Sequence, residues 1–310
     1  MPPALLVIVN PTAGAGRAGR LVSWIGERLR PRGDAELHLT TGPGDGEEAA
    51  RDGVARGAAR VVAVGGDGTV QEVVNGVMAS GGAASVGVVP VGTGNDLARG
   101  LGLPADPAEA WTAALGSPTR VVDLALAENG SGRRRWLVSA GGIGFDAQVA
   151  AAMAGRRGLG AGRAGYLVTT LRELRRFENR CVRVSADEAV LERASLFVAV
   201  ANGPYYGGGM RIAPDARMDD GVLDICVVGD ISRLTALRQL PGLYRGTHVR
   251  HRAVTMLKAR NVNLTTDRPT AIHLDGEPFG EAPLRLRVAA SLEVAVPERR
   301  TARRTDPAGR

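Results

Sequence analysis

Five residues, Gly65 to Thr69 (Gly-Gly-Asp-Gly-Thr), end the apolar run Val61, Val62, Ala63, Val64 and open a stretch with helical spacing. A buried strand that stops at glycines lets the backbone come close to a phosphate. The helix that follows offers free N–H groups and the positive end of its dipole. Asp67 in the middle of such a turn would repel a phosphate unless Mg²⁺ lies between them, or unless its carboxylate takes a proton from an attacking hydroxyl. The combination points to phosphoryl transfer rather than nucleotide storage. Val70, Val73, Val74 and Val77 fall at i, i+3, i+4 and i+7 and predict a helix with one apolar stripe. Gly-Asp-Gly also builds ordinary turns and calcium loops, so the rest of the chain has to decide.

The 310 residues suit two domains. Strands are expected at Leu5 to Val9, Glu36 to Thr40, the run before Gly65, and Val86 to Val89. Helices are expected from about Ala18 to Leu29, from about Glu47 to Arg56, and after Gly65 to Thr69. This alternation predicts an α/β domain over 1–120, a parallel sheet covered on both faces. From Val121 the texture changes to strand-like runs: Val121 to Ala127, Trp136 to Ala140, Val182 to Ser185, Ser195 to Ala201, Val222 to Val228, Val262 to Thr265 and Leu284 to Val288. They predict an antiparallel β-sandwich domain over 121–297, with helical excursions at about Ala147 to Arg176 and Ser232 to Tyr244. The arginine-rich stretch 298–310 reads as a disordered basic tail.

Composition narrows the partners. Hydrophobic content is 44% and the mean hydropathy is −0.03, the profile of a globular protein. No apolar run approaches the roughly 20 residues of a membrane-spanning helix. Met1 to Val9 has no charged start, long apolar segment or cleavage site, so a cytoplasmic protein is expected. Cys181 and Cys226 are isolated from each other and from the four histidines, and both read as small core residues rather than a disulfide or zinc site. The net charge of +7 is spread along the chain and aromatics are only 4%, which argues against nucleic acid. Lys258 is the only lysine and has no glycine loop around it. Neither a Walker A lysine nor the strand lysine of protein kinases is therefore present.

Other loops bear on the same chemistry. Gly14, Gly16 and Gly19 match G-x-G-x-x-G, with Asp34 or Glu36 where a dinucleotide fold would hold a ribose. Asn10, Pro11 and Thr12 intervene after the strand, however, and that reading leaves Gly65 to Thr69 unexplained. Pro90 to Asp96 (Pro-Val-Gly-Thr-Gly-Asn-Asp) is a third glycine loop after a strand, though Asn95 or Asp96 would also serve as an ordinary helix cap. Three such loops at the carboxyl ends of parallel strands should open on one crevice. In the second half, Asn202 to Met210 (Asn-Gly-Pro-Tyr-Tyr-Gly-Gly-Gly-Met) leads to Asp219 and Asp220, a pair suited either to a metal loop or to an exposed turn. Leu274, Asp275, Gly276, Glu277 puts another carboxylate on a tight turn.

The order of these motifs, with Val-Asp-Leu at 122–124, Ala-Gly-Gly-Ile-Gly-Phe-Asp at 140–146 and Met-Asp-Asp-Gly at 218–221, resembles the diacylglycerol kinase catalytic family, and within it the bacterial lipid kinases. The resemblance runs from about Leu6 to Val296. It implies a nucleotide-binding α/β domain joined to a β-sandwich, with ATP and Mg²⁺ in the cleft and a lipid alcohol as acceptor. Asn10, Thr12, Gly14, Thr40, Gly66, Asp67, Gly68, Thr69, Glu72 and Thr93 match the family's nucleotide contacts. Glu277 matches the proton acceptor, with Asp67 the alternative. Asp67 and Asp123 match carboxylates of a metal and water network, and Arg217, Asp220 and Val222 match a structural Mg²⁺ site in which Arg217 and Val222 offer backbone carbonyls. One departure is Gly44, Asp45, Gly46, where the family often has Gly-Asp-Ala.

The implied reaction is in-line transfer of the γ-phosphoryl group of ATP to a lipid hydroxyl, as in diacylglycerol to phosphatidate. NAD kinase, which shares Gly-Gly-Asp-Gly-Thr, and a non-catalytic nucleotide or lipid sensor are the alternatives. Tyr166, Leu167, Thr170, Leu171 and Leu174 beside Arg163, Arg172, Arg175 and Arg176 make a basic amphipathic pattern. It suits either peripheral contact with the inner face of a membrane or a helix packed on its own core. The oligomeric state is open, a homodimer being one option.

Overall fold

The computed structural model describes residues 4–153, 163–175 and 177–298. The expected tail, from 299 onward, lies outside them. Strands β1 (Leu5–Val9), β2 (Ala35–Leu39), β3 (Arg60–Gly65) and β4 (Ser85–Pro90) form a parallel sheet in the order β2-β1-β3-β4, with Val7 between Leu37 and Val62. Alternate side chains leave opposite faces, and both faces are covered. Leu6, Ile8, Val61 and Ala63 join a core with the valine stripe of α4 (Asp67–Ala79) and with Ala50 of α3 (Asp45–Ala55). Leu5, Val7, Val9, Val62 and Val64 pack instead on Ile25 and Leu29 of α2 (Val22–Leu29) and Trp111 of α6 (Pro107–Leu115). Two buried faces explain why these strands read as unbroken apolar runs. Two short helical pieces complete the half, α1 (Ala13–Gly16), kinked by left-handed Gly14 and Ala15, and α5 (Asp96–Leu101).

The second half is antiparallel. Its strands are β5 (Thr119–Asn129), β6 (Arg134–Leu137), β7 (Ala140–Gly144), β8 (Arg180–Ala186), β9 (Ala189–Ala201), β10 (Leu223–Gly229), β11 (Val254–Ala259), β12 (Asn261–Thr266), β13 (Ala271–Leu274), β14 (Glu277–Glu281) and β15 (Leu284–Ala295). Helices α7 (Phe145–Met153) and α8 (Arg163–Leu174) occupy the first expected excursion, and α9 (Arg233–Arg245) the second. Val184, Val198, Ile225, Leu264 and Phe279 are among the fully buried side chains of the sandwich core. The last strand joins the halves: β15 pairs with β5 along its length, while its other edge takes β12 near the start and β4, at Val294 opposite Val86, near the end. Cys226 is buried as expected, but Cys181 is exposed, because the alternation of β8 turns it away from the core that receives Val182 and Val184.

Candidate active site

The three glycine loops meet at the carboxyl edge of the parallel sheet. Asn10, Thr12 and Gly14 after β1, Gly66 to Thr69 after β3, and Gly92 to Gly94 after β4 line one open cleft of about 890 Å³. Thr40 and Glu72 line it too, so all ten expected nucleotide contacts share one wall system, with Glu277 opposite. Gly16 and Gly19 do not line it, and Glu36 pairs with Arg56 at 2.8 Å on the surface, so the dinucleotide motif is a sequence coincidence. A Cβ on Gly92 would collide with Gly66 Cα, which is why the second and third loops can lie against each other. Glu72 accepts N–H bonds from Gly44 at 2.8 Å and Gly46 at 3.1 Å, and Asp45 accepts from the Thr41 N–H at 2.6 Å. The departure at Gly44 to Gly46 is thus held as a rigid lip of the cleft.

Asp67 opens α4 but caps nothing in its own helix. Its carboxylate accepts the N–H of Asn95 at 2.7 Å and of Asp96 at 2.6 Å, so the third loop is built onto the second. Asn95 sits in the left-handed region, and its side chain provides no cap to α5. Asp96, read in the sequence only as a cap candidate, reaches across to the second half, accepting N–H bonds from Gly208 at 3.1 Å and Gly209 at 3.0 Å. Asp275 is a third such clamp, taking N–H bonds from Val138, Ser139 and Ala140 at 2.7–3.1 Å. These three acids line one small cavity of about 120 Å³ together with Gln71 and Tyr206, its other walls including Val70, Leu97 and Val138.

Electrostatics follow from this crowding. Burial raises the Asp67 acid, partly offset by its N–H donors and by Arg99. Burial and then the Asp67 charge push Asp96 up to about 7. Asp275 is raised by burial against the pull of its three N–H bonds, with Asp67 adding to the rise. Glu277 follows Asp275 and Gly276, whose φ of 49° and 86° make the two-residue turn between β13 and β14. Its Oε1 faces Gly68. Desolvation raises its acid and the charge of Arg135 lowers it, and solvent at the cleft mouth moderates both. Arg133 and Arg135, which the sequence reading missed, supply cations to a cleft that has no lysine.

Residues 4–127 match the diacylglycerol kinase catalytic domain, and residues 138–296 match the YegS C-terminal NAD kinase beta sandwich-like domain. The chain is 31% identical over 260 residues to a diacylglycerol kinase of Mycobacterium tuberculosis, covering 83% of each. It belongs to the diacylglycerol kinase family of lipid kinases. A Chromohalobacter salexigens protein named probable lipid kinase YegS-like is 32% identical over 267 residues, 84% of each chain. A crystal structure of a diacylglycerol kinase candidate from Bacillus anthracis superposes with a TM-score of 0.77 at 25% identity and covers 94% of both chains. Membership in a kinase family implies use of ATP.

Away from the cleft, this lipid kinase brings Asp123 to the loop carrying Arg217, Asp220 and Val222. Asp123 Oδ2 accepts the Gly221 N–H at 2.7 Å, and its own N–H donates to the Met218 carbonyl at 2.7 Å. Asp123 lines neither the cleft nor the small cavity of Asp67, but its carbonyl accepts an N–H of Asn202 at 2.7 Å, and the same amide donates at 2.9 Å to Val138 in the wall of that cavity. Asp219 is paired with Arg120 at 3.0 Å and Arg217 at 3.3 Å. Asp220 has Lys258 at 3.5 Å, and the same ammonium stands 3.4 Å from Asp224.

On α8 the expected stripe divides. Thr170 and Leu174 are buried, Leu174 against Phe145 and Phe177, whereas Val168 and Leu171 are 63% and 37% exposed beside exposed Arg172 and Arg175. Arg176 and the side chains of Arg163, Tyr166 and Leu167 lie outside the described residues. Among the described residues no helix is long and apolar enough to cross a membrane.

Proposed function

We propose that this kinase transfers the γ-phosphoryl group of ATP to a hydroxyl of diacylglycerol or a related lipid alcohol, with a 1–120 nucleotide domain and a 121–297 acceptor domain meeting at the cleft. The observation that carries the reading is the convergence of three glycine loops, Asp67 and Glu277 on that cleft. The acceptor oxygen bonds to the γ-phosphorus, the bond to the bridging β–γ oxygen breaks, and the hydroxyl proton passes to Glu277. Glu277 stands exposed at the cleft mouth, and the partial desolvation it meets there raises its acid and makes its carboxylate a somewhat stronger base. The N–H groups at the start of α4 and the loop Gly92 to Gly94 orient the phosphates. A loose transition state makes such positioning weigh more than base strength.

Among the described residues no three acidic, histidine or cysteine side chains are grouped to hold a metal ion by themselves, so Mg²⁺ at the Asp67 corner would be held by Asp67 together with the phosphates and water. Asp67, Asp96 and Asp275 are each already engaged by backbone N–H groups, so an ion that keeps several of its waters fits better than one stripped to protein ligands. When bound, Mg²⁺ would neutralise phosphoryl oxygens. The loop of Arg217, Asp220 and Val222 offers oxygen donors for a second ion, in competition with Lys258 for Asp220.

A separate apolar cavity between α7, α8 and α9, lined by Phe145, Leu174, Phe197, Leu240 and Leu243, suits part of a hydrocarbon chain and supports a lipid acceptor over NAD. The test is incubation with ATP labelled at the γ-phosphate and either total lipid extract or NAD, followed by mass spectrometry. The expected product is a lipid phosphomonoester. Label on NAD alone would overturn the lipid reading, and binding without transfer to either would indicate a sensor.

A further inference from the structure

Glycine loops offer N–H groups to a triphosphate but no formal positive charge, and the one lysine is committed to Asp220 and Asp224. We propose that Arg135, assisted by Arg133, is the cation that grips the phosphate chain of the nucleotide, delivered from the second half of the molecule across the cleft. The inference rests on the nucleotide reading of that cleft.

Four observations carry it. Arg133 and Arg135 both line the cleft together with Gly66 to Thr69, Arg133 beside Phe279 and Arg135 close enough to Glu277 for its charge to act there. Their neighbour Arg134 pairs with Glu128 at 2.7 Å in a groove elsewhere, and the period-two alternation of a strand sends 133 and 135 the other way. Arg135 is half-buried, yet among the described residues its guanidinium makes no hydrogen bond or ion pair; Glu277 is the group on which its charge acts. Its donors open on the cleft, where a ligand's oxygens can replace the solvent that reaches them. Its position is also fixed by the phosphate loop itself. Buried Asn75 of α4 accepts the N–H of Trp136 at 2.9 Å and donates to its carbonyl at 3.4 Å, so the helix whose first turn is Asp67 to Thr69 also anchors the strand next to Arg135.

The chemistry fits a polyphosphate. A guanidinium presents parallel N–H donors that match two oxygens of one phosphoryl group, and it stays charged at any working pH. Arg133 is exposed and rests with its guanidinium carbon 5.4 Å from the ring centre of Phe279, on the same hairpin as Glu277, so it has the weaker hold.

The experiment measures binding of ATP, and of inorganic tripolyphosphate as a competitor, to the full chain and to Arg135→Gln, Arg135→Lys and Arg133→Gln. Arg135→Gln should weaken ATP and tripolyphosphate by a similar factor, about 10- to 100-fold for one lost bidentate charged contact, with an unchanged melting temperature. Arg135→Lys should recover part of the loss, and Arg133→Gln should cost only a few-fold. Equal ATP affinity in Arg135→Gln overturns the proposal, as does a loss for ATP without one for tripolyphosphate. If the parent binds neither probe, the nucleotide reading of the cleft itself fails.

Discussion

Asp96→Asn should remove a large pH dependence from the stability of this protein. Asp96 is 8% exposed and close to Asp67, and its acid is pushed from the ordinary 3.8 up to about 7, first by burial and then by the Asp67 charge. Below about pH 4 the group is protonated whether the chain is folded or not. Between pH 4 and 7 the unfolded chain gives up this proton while the folded chain keeps it, so stability falls as pH rises; above 7 both forms are charged and the loss is complete. The interval from 3.8 to about 7, at about 1.36 kcal/mol per pH unit, corresponds to about 4 kcal/mol. Asparagine does not titrate. It keeps one acceptor for Gly208 or Gly209 and loses the other, an offset of about 1–2 kcal/mol that does not depend on pH. It also removes the like charge that burdens Asp67, which acts in the same direction. Urea denaturation of parent and variant in EDTA at several values from pH 4 to 8 measures the effect. The parent should lose several kcal/mol relative to Asp96→Asn across that range. Parallel profiles, within about 1 kcal/mol, would refute the electrostatic account of the acid cluster.

The other predictions concern catalysis, metal and membrane. Asp67→Asn should lose at least about a hundredfold in kcat, as expected for an electrostatic role, with a smaller loss of ATP affinity because one of the two N–H groups it holds in the third loop loses its acceptor; near-normal turnover would take Asp67 out of the mechanism. Glu277→Gln should likewise lose rate rather than ATP binding, along with the acid limb of the pH–rate profile, which in the parent lies above the ordinary 4.5 because partial desolvation at the cleft mouth outweighs the charge of Arg135. Asp220→Ala should lower the melting temperature and abolish its sensitivity to EDTA, because an ion bound only by the folded form stabilises it; a parent indifferent to EDTA would leave Asp220 as the partner of Lys258 alone. Replacing Arg172 and Arg175 by Gln should weaken binding to anionic vesicles by about 2 kcal/mol, at about 1 kcal/mol for each arginine near the surface. High salt should erase that difference and turnover on a short-chain diacylglycerol should persist, while equal losses on soluble and vesicle substrate would return α8 to a purely structural role.

Much of the architecture was legible for local reasons. Val70, Val73, Val74 and Val77 pack as their spacing requires, and β1 and β3 read as apolar runs because both their faces are buried. Some elements went unread although a signal was present. α6 opens with Asp106, whose side chain accepts the N–H of Ala108 and Glu109 at 3.0 Å, followed by Pro107 at its first position. The hairpin of β13 and β14 turns on Asp275-Gly276, a two-residue turn sequence, but its strands are short and Glu277, Pro278 and Glu281 make β14 look like loop. The exposure of Cys181 and the divided stripe of α8 depend on which face meets a partner, and composition does not carry that information.

The cleft was determined by the sequence alone, since glycine loops that follow parallel strands must emerge at the same sheet edge, whatever the rest of the chain does. What tertiary structure decided is which charges feel one another. Asp67 meets the N–H groups of Asn95 and Asp96, Asp96 those of Gly208 and Gly209, Asp275 those of Val138 to Ala140, and Arg135 acts on Glu277. A carboxylate's acidity depends on the water it has lost and the charges within a few ångströms; of these contacts only Asp96 with Gly208 and Gly209 needs the two halves to close on each other, and the others form as each half packs its own loops and strands.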